Sequence, residues 1–374
     1  MAPAFTLDPQ QRRWTTELRE LAVRRLRPLA ETARPGRVNR PLVAALGELG
    51  LLARVFPAAG SVAAMDLCLL RESLAQECTE AETALALQGL GAHPLVLAGS
   101  ESQRKTWLPR VVAGQAVAAF ALSEAGAGSD AAALALRAEP AGDGWLLCGG
   151  KTWISNAPDA DLYTVFARTG PAAGARGITA FLVPAGRPGL SGRPLAMLAP
   201  HPIGALTFDD VPVGAEDVIG EVGGGFGVAM RTLELFRPSV GAFAVGMARA
   251  ALRAATAHAD RRRAFGGALK DLQAVSHQLA EMATRTEAAA LLVYAAAEAQ
   301  DTGDPARAAR SAMAKLFATE TAQYVVDAAV QIHGASALEH GHPLEHLYRE
   351  VRATRIYEGA TEVQRTVIAK ELYR

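Results

Sequence analysis

The stretch Arg355-Ile356-Tyr357-Glu358-Gly359-Ala360-Thr361-Glu362-Val363-Gln364-Arg365 sets a carboxylate beside a glycine, just ahead of a new helix. Thr361 with Gln364 three residues on fits a capping box, so the spacing predicts a helix that begins near Thr361. Glu358 then lies on the approach to a helix N-terminus, backed by a turn, where a base of fixed reach can be held. The competing reading is a carboxylate that only complements the helix dipole, worth about 0.3–1 kcal/mol.

Further motifs precede it in order. They are Phe120-Ala121-Leu122-Ser123-Glu124-Ala125-Gly126-Ala127-Gly128-Ser129-Asp130, then Gly150-Lys151-Thr152-Trp153-Ile154-Ser155-Asn156. Arg262-Arg263-Ala264-Phe265-Gly266 with Gln273 comes next, followed by Gln331-Ile332-His333-Gly334. With these residues the chain resembles the acyl-CoA dehydrogenase family of flavoproteins, from about Leu46 to Arg374. Several separated motifs in one order weigh more than any one of them.

Length and composition agree with an enzyme of several domains. The 374 residues allow two to three domains, and a hydrophobic share of 50% with 20% charged is ordinary for a globular chain. The 38 basic and 38 acidic side chains balance, which argues against nucleic acid or an anionic membrane as the main partner. Cys68, Cys78 and Cys148 form no Cys-x-x-Cys pair and read as reduced thiols of a cytoplasmic protein. No apolar run reaches the roughly 18–20 residues that span a bilayer, and Met1 to Asp8 carries no signal-peptide pattern.

The pattern divides the chain at about 1–115, 116–220 and 221–374. The first segment reads as helical, with Leu42, Leu46, Leu49 and Leu52 near helical spacing, and Pro94 and Pro109 as punctuation. The second reads as an all-β middle domain, a small barrel or sandwich. Its strands are Trp145–Cys148, Leu162–Ala167, Ile178–Val183 and Ala205–Phe208, and the second and third of these are short, β-branched and bounded by Gly or Pro. After Gly223–Gly227 the chain is expected to be helical to its end. Asp304-Pro305 starts one helix and Gly334 stops it, about 40 Å later at 1.5 Å per residue. The predicted fold class is thus α+β and multidomain: an N-terminal helical domain, a middle β domain and a C-terminal four-helix bundle.

Ser123, Gly126, Gly128 and Ser129 make a tight polar turn whose backbone N–H groups can approach a flat ring. It lacks the strand–turn–helix setting of a dinucleotide fingerprint and has no Gly-Lys-Ser/Thr, which excludes Rossmann and P-loop readings. Trp153 and Ser155, two apart in a strand, share a face. Taken alone, Trp153 is more often core than cofactor wall. Arg262, Phe265 and Gln273 suit a diphosphate and an adenine, or else a solvated basic surface. His333, His340, His342 and His346 fit no standard zinc spacing, so no metal is expected.

The resemblance implies FAD as cofactor and an acyl-CoA as substrate. Phe120, Leu122, Ser123, Gly128, Ser129, Trp153, Ile154 and Ser155 then line the flavin, with Ser129 also touching the acyl-CoA. Arg262, Phe265, Gln273, Gln331 and Gly334, with Thr361 and Glu362, complete the cofactor set. Arg262, Phe265, Gln273 and Gln331 would serve the FAD of a neighbouring subunit, which implies a homodimer or homotetramer. Glu358 becomes the base that takes the pro-R α-proton while the β-hydride moves to flavin N5. Its backbone N–H and a ribityl hydroxyl hold the thioester oxygen, and Tyr357 and Gly359 flank the substrate. Relatives with the base elsewhere carry it one position before an arginine; here that position is Phe236, which takes no proton. Glu234 and Arg237 either meet the CoA moiety or pair with each other as i, i+3 neighbours.

The chain departs from the family pattern at Ala125 (usually Pro), Ala264 (usually polar), Ala360 (usually Thr), Ala335–Leu338 and the missing Tyr-Gly-Gly after Phe56-Pro57. These departures hint at a branched, cyclic or aryl-substituted acyl group. An electron-transferring flavoprotein is the expected electron acceptor, within fatty acid metabolism. The alternatives are an acyl-CoA oxidase using O2, a dehydrogenase of a carrier-protein-bound acyl group, or a flavin-binding protein without dehydrogenase activity. Asp is expected at the base position of a nitroalkane oxidase, where this chain has Glu358.

Overall fold

The computed structural model describes residues 7–57, 62–170 and 174–373. The start of the Met1–Asp8 segment and the place of the missing Tyr-Gly-Gly loop (58–61) lie outside the described residues. The helices that open the chain are α1 (Pro9–Leu21), α2 (Arg27–Ala30), α3 (Arg40–Glu48), α4 (Leu51–Val55), α5 (Ala64–Ala75), α6 (Thr79–Ala98) and α7 (Glu101–Val112). Strands β1 (Ala118–Ala121), β2 (Arg137–Ala141), β3 (Gly144–Ser155), β4 (Leu162–Arg168), β5 (Ile178–Pro184), β6 (Leu190–Pro194), β7 (Ile203–Val213) and β8 (Val218–Ile219) follow. Then come α8 (Gly225–Arg261), β9 (Arg263–Ala264), β10 (Gly267–Ala268), α9 (Gln273–Asp301), α10 (Arg307–His333), α11 (Pro343–Thr354) and α12 (Thr361–Glu371). The order is helical, β, helical, and the fold is the α+β multidomain architecture read from the sequence.

By packing, the chain forms two compact units: Met1–Arg24 with Ala63–Glu82 and Glu234–Arg374, and Arg25–Val62 with Thr83–Leu233. In the first unit, α8 to α11 pack with α5 around one apolar core. Its contact residues are largely alanines, among them Ala244, Ala248, Ala251, Ala290, Ala297, Ala314, Ala318 and Ala322. Small side chains let helix axes approach closely. Gly246 marks the tightest crossing: a Cβ there would sit 2.5 Å from the Glu72 carbonyl of α5. The helix α10 starts at Arg307, two residues later than Asp304-Pro305 predicts. Asp304 instead closes a turn ahead of it, accepting the Ala306 N–H at 2.7 Å. Gly334, at φ 68°, ends the helix as expected.

The expectation that the chain after Gly227 is helical to its end fails between α8 and α9, where β9 and β10 form a hairpin. Its turn residues Phe265 and Gly266 both have positive φ, 50° and 84°, the geometry of a tight two-residue hairpin. With only two residues per strand, no period-2 pattern exists to be read.

In the second unit the strands run β6-β7-β3-β2-β4-β5-β8, with β1 beside β4. One residue pair, Arg137 opposite Arg168, joins the two halves of this path. Pro94 and Pro109 lie inside α6 and α7 and break neither helix. Burial of Leu85, Ala86, Ala92 and Leu95 outweighs the hydrogen bond lost at Pro94. Near that proline Thr164 Oγ1 donates to the Gly91 carbonyl at 3.0 Å.

A buried ion pair anchors the glycine-containing turn of this unit. Lys151 Nζ donates to Glu124 Oε1 at 2.7 Å and to the Leu122 carbonyl at 2.9 Å. Glu124 also accepts the Ala135 and Leu136 N–H groups at 2.6 and 2.9 Å. Burial lowers the Lys151 pKa to about 8 against the pull of Glu124. Lys151→Met is expected to cost about 3–5 kcal/mol, because it leaves a buried carboxylate without its cation. Urea unfolding measures this; a loss under about 1 kcal/mol would contradict the anchoring role.

Candidate active site

Helix α12 does start at Thr361, but the capping box is absent. Ala360 occupies the N-cap and offers no side-chain acceptor. Thr361 Oγ1 instead donates to Glu320 Oε1 at 3.0 Å, and Arg355 Nη2 reaches Glu320 Oε2 at 2.9 Å. Gln364 Nε2 turns back to the Gly359 carbonyl at 2.8 Å and the Glu358 carbonyl at 3.3 Å. Lys315 Nζ, from α10, donates to the same Gly359 carbonyl at 2.8 Å. The Gln364 side chain is turned so that its Nε2 donates to carbonyls of this loop, and its Oε1 accepts no helix N–H.

These contacts hold Glu358 at φ 51° and Gly359 at φ 95°. Glycine takes such a conformation freely; for glutamate it costs on the order of 1–3 kcal/mol and persists only where the surroundings impose it. Glu358 Oε2 is sealed from solvent and has no hydrogen-bond partner. Burial pushes the Glu358 pKa up, and Arg71, Lys315 and Arg237 pull it back without restoring the ordinary value. A carboxylate held this way is a stronger base than one in water, and its lone pair is free.

The three cations come from three helices. Arg71, on α5, is buried; its Nε donates to Glu82 and its Nη1 donates to Ser239 Oγ at 2.6 Å. Burial opposes the Arg71 charge, but Glu82, Glu358 and Tyr357 outweigh it and leave its pKa raised. Arg237, on α8, is lowered by burial against Glu358 and Glu234, and its Nε is buried without a partner. Lys315 is brought down to about 8 by burial, with Glu358 opposing. Arg71, Glu82, Ser239 and Lys315 escaped the sequence reading, since no local pattern links positions that pair across 11, 168 or 44 residues.

Tyr357 also faces the Arg71–Glu82 pair, and burial, then Glu82, raises its phenol pKa well above the ordinary value. Phe236 is buried at 1% exposure. Of the two readings of Glu234 and Arg237, the mutual ion pair is not formed; the Glu234 carboxylate lies 3.5 Å from Arg307 Nε.

The flavin-type residues of the β unit fall into two groups. Gly128 and Ser129 are exposed and Ser123 is half-buried, in a turn closed by reciprocal 3.1 Å bonds between Glu124 and Ala127. A Cβ added at Gly126 or Gly128 would meet no atom within 4 Å, so packing within the chain does not demand glycine there. Trp153 is 49% exposed at φ 57°, where the β3–β7 register shifts between Lys151 and Ile154. Simple alternation therefore does not place Trp153 and Ser155 on one face; the bulge does the aiming. Leu122 and Ile154 are buried, which leaves their backbone groups for any ligand, and Phe120 packs against Phe166 with ring centroids 4.9 Å apart and planes tilted by 58°.

At one end of the helical unit the His258 and His333 rings stack at 4.1 Å, with His342 at 5.5 Å from His333. This stack ties the end of α8 to the end of α10 and so gathers Arg262, Gln331 and Gly334. Arg262, Gln273 and Gln331 are exposed, and Phe265 is 93% exposed at the hairpin tip. Glu362 is exposed and pairs with Arg365 at 3.7 Å. Among the described residues no group of three or more His, Cys, Asp or Glu side chains could hold a metal ion, and no helix is long and apolar enough to cross a membrane.

Known proteins resemble this chain in sequence and in fold. Three family profiles match: Acyl-CoA dehydrogenase, N-terminal domain over residues 8–115, middle domain over 119–211 and C-terminal domain over 223–373. A probable acyl-CoA dehydrogenase, FadE25 of Mycobacterium tuberculosis, is 37% identical over 380 residues, covering 99% of this chain and 97% of the relative. Butyryl-CoA dehydrogenase from Megasphaera elsdenii has a TM-score of 0.91 at 34% identity, covering 99% of this chain and 100% of that one. An FAD complex of PigA has the same TM-score at 25% identity, covering 99% of both chains. The chain belongs to the acyl-CoA dehydrogenase family, FAD-dependent oxidoreductases that act on the CH–CH group of acyl-CoA thioesters.

Proposed function

We propose that the protein dehydrogenates an acyl-CoA thioester to the trans-2-enoyl-CoA, with Glu358 as the base. The observation that carries this is the sealed, unpartnered Glu358 Oε2 on a left-handed turn, among three cations. Glu358 takes the α-proton, and the two electrons of the β C–H bond leave as hydride. FAD, when bound, supplies the hydride acceptor at N5. The α-proton of a thioester is weakly acidic, so the developing enolate needs hydrogen bonds on its oxygen. The Glu358 backbone N–H is the donor assigned to that oxygen in this reading, and the contacts of Lys315 and Gln364 to the Glu358 and Gly359 carbonyls hold the loop that carries it.

Ser123, Gly128, Ser129, Trp153 and Ser155 are the groups of the β unit that would hold the flavin ring. The open space at Gly126 and Gly128 and the exposed Trp153 face fit a flat aromatic ligand. Arg262, Phe265, Gln273, Gln331 and Gly334 would take the adenine and diphosphate of a neighbouring subunit's FAD, in a homodimer or homotetramer. The almost fully exposed Phe265 supports a partner at that tip. Arg237, with its unpartnered Nε, suits the substrate side. The expected electron acceptor is an electron-transferring flavoprotein.

Glu358→Gln is expected to bind FAD normally but to slow flavin reduction by about 10³-fold or more, since proton abstraction loses its base. Anaerobic stopped-flow bleaching with a panel of acyl-CoAs measures this, and near-normal reduction would refute the assignment. In the wild type the rate requires ionised Glu358, whose pKa burial raises. Reduction should therefore fall as pH drops, with its midpoint above the usual carboxylate range; a midpoint within that range would contradict the burial argument. Rapid reoxidation by O2 with stoichiometric uptake during turnover would assign an oxidase instead.

A further inference from the structure

Lys315 is fully buried on α10, yet its ammonium is given a hydrogen bond to a neutral carbonyl, that of Gly359. A glutamine could hold that carbonyl without placing a charge in the interior, which costs several kcal/mol when uncompensated. The Gly359 carbonyl already has such a partner in Gln364 Nε2 at 2.8 Å. The contact alone therefore does not account for a lysine, and the charge needs a purpose.

Of the other two cations near Glu358, Arg71 is bonded to Glu82, while Arg237 faces Glu358 first and then Glu234, with its Nε unpartnered. Neither is bonded to the loop that carries Glu358, whereas Lys315 is. Lys315 faces Glu358 first, then Arg237 on α8, Glu320 on its own helix and Glu362 on α12. Arg71 on α5 and Arg237 on α8 complete the charges around Glu358. We propose that Lys315 is a positioning residue for the dehydrogenation reaction: its ammonium fixes the Glu358 loop through the Gly359 carbonyl and its charge keeps Glu358 ionised. The proposal rests on Glu358 being the base.

The direction with pH follows. Burial holds the Lys315 pKa near 8, so its charge is present below that pH and lost above it. As the ammonium deprotonates, Glu358 loses a compensating cation and holds its proton more tightly. Without that charge the acid-side fall of flavin reduction should therefore move to higher pH.

The test compares Lys315→Met, Lys315→Gln and Lys315→Arg in the FAD-loaded enzyme, with folding checked by thermal melts. Two readouts apply. One is the pH profile of anaerobic flavin reduction. The other, independent of substrate, is infrared titration of the protonated Glu358 carboxyl band, identified by its loss in Glu358→Gln. Losing the charge should move the Glu358 midpoint up by about one pH unit in both Met and Gln variants. The Arg variant should keep the wild-type midpoint. Lys315→Gln retains a donor for the carbonyl and should keep a higher plateau rate than Lys315→Met, which should fall by about 10- to 100-fold.

An unmoved Glu358 band in folded Met and Gln variants overturns the proposal. Lower rates with unchanged midpoints leave Lys315 a structural residue and also overturn it. If no acyl thioester reduces the wild-type flavin, the functional reading fails separately, while the infrared titration still decides the role of Lys315.

Discussion

The carbonyl of Gly359, gripped by Lys315 and Gln364, is the contact on which the candidate site depends. Without it, Glu358 has no reason to remain in the left-handed region, where a glutamate is strained by roughly 1–3 kcal/mol. The strain and the buried charges must be offset by something rigid. The alanine-rich core of α8 to α11 supplies that rigidity, because closely approached helices leave Lys315 and Arg237 little freedom to follow a relaxing loop. Stability made in the bundle is thus used to keep one carboxylate poorly solvated and ready to take a proton.

The same economy shows in the β unit. The turn from Ser123 to Ser129 is open and polar, with small residues that no packing within the chain demands. It keeps its shape because Glu124, at its base, is neutralised by Lys151 and saturated by backbone N–H groups. A buried pair of this kind adds little net stability over an apolar substitute, but it fixes one geometry. Trp153, on a bulge at positive φ, presents half its surface to the outside where a regular strand would have turned it to a fixed side.

Much of this was legible in the sequence where the signal is local. The helical, β, helical order, the strand read as Leu162–Ala167, the stop at Gly334 and the turn at Glu358-Gly359 each follow from periodicity, β-branched runs or glycine. What was illegible is pairwise and distant. Lys151 with Glu124, Arg71 with Glu82 and Lys315 with Gly359 bring together residues that no spacing rule connects. Local rules failed where tertiary contacts outbid them. Gln364 serves carbonyls of the loop and not the helix cap, Pro94 rides inside a buried helix, and the two-residue strands around Phe265 are too short to carry a pattern.

The proposed reaction turns on Glu358 removing the α-proton, and that step can be isolated from hydride transfer. 3,3-Dimethylbutyryl-CoA has α-hydrogens but no β-hydrogen, so it can lose a proton without reducing the flavin. Incubated with the FAD-loaded enzyme in D2O, it should take up deuterium at the α-carbon with wild type and not with Glu358→Gln, as read by mass spectrometry. Equal incorporation in both would place the base elsewhere and contradict the account.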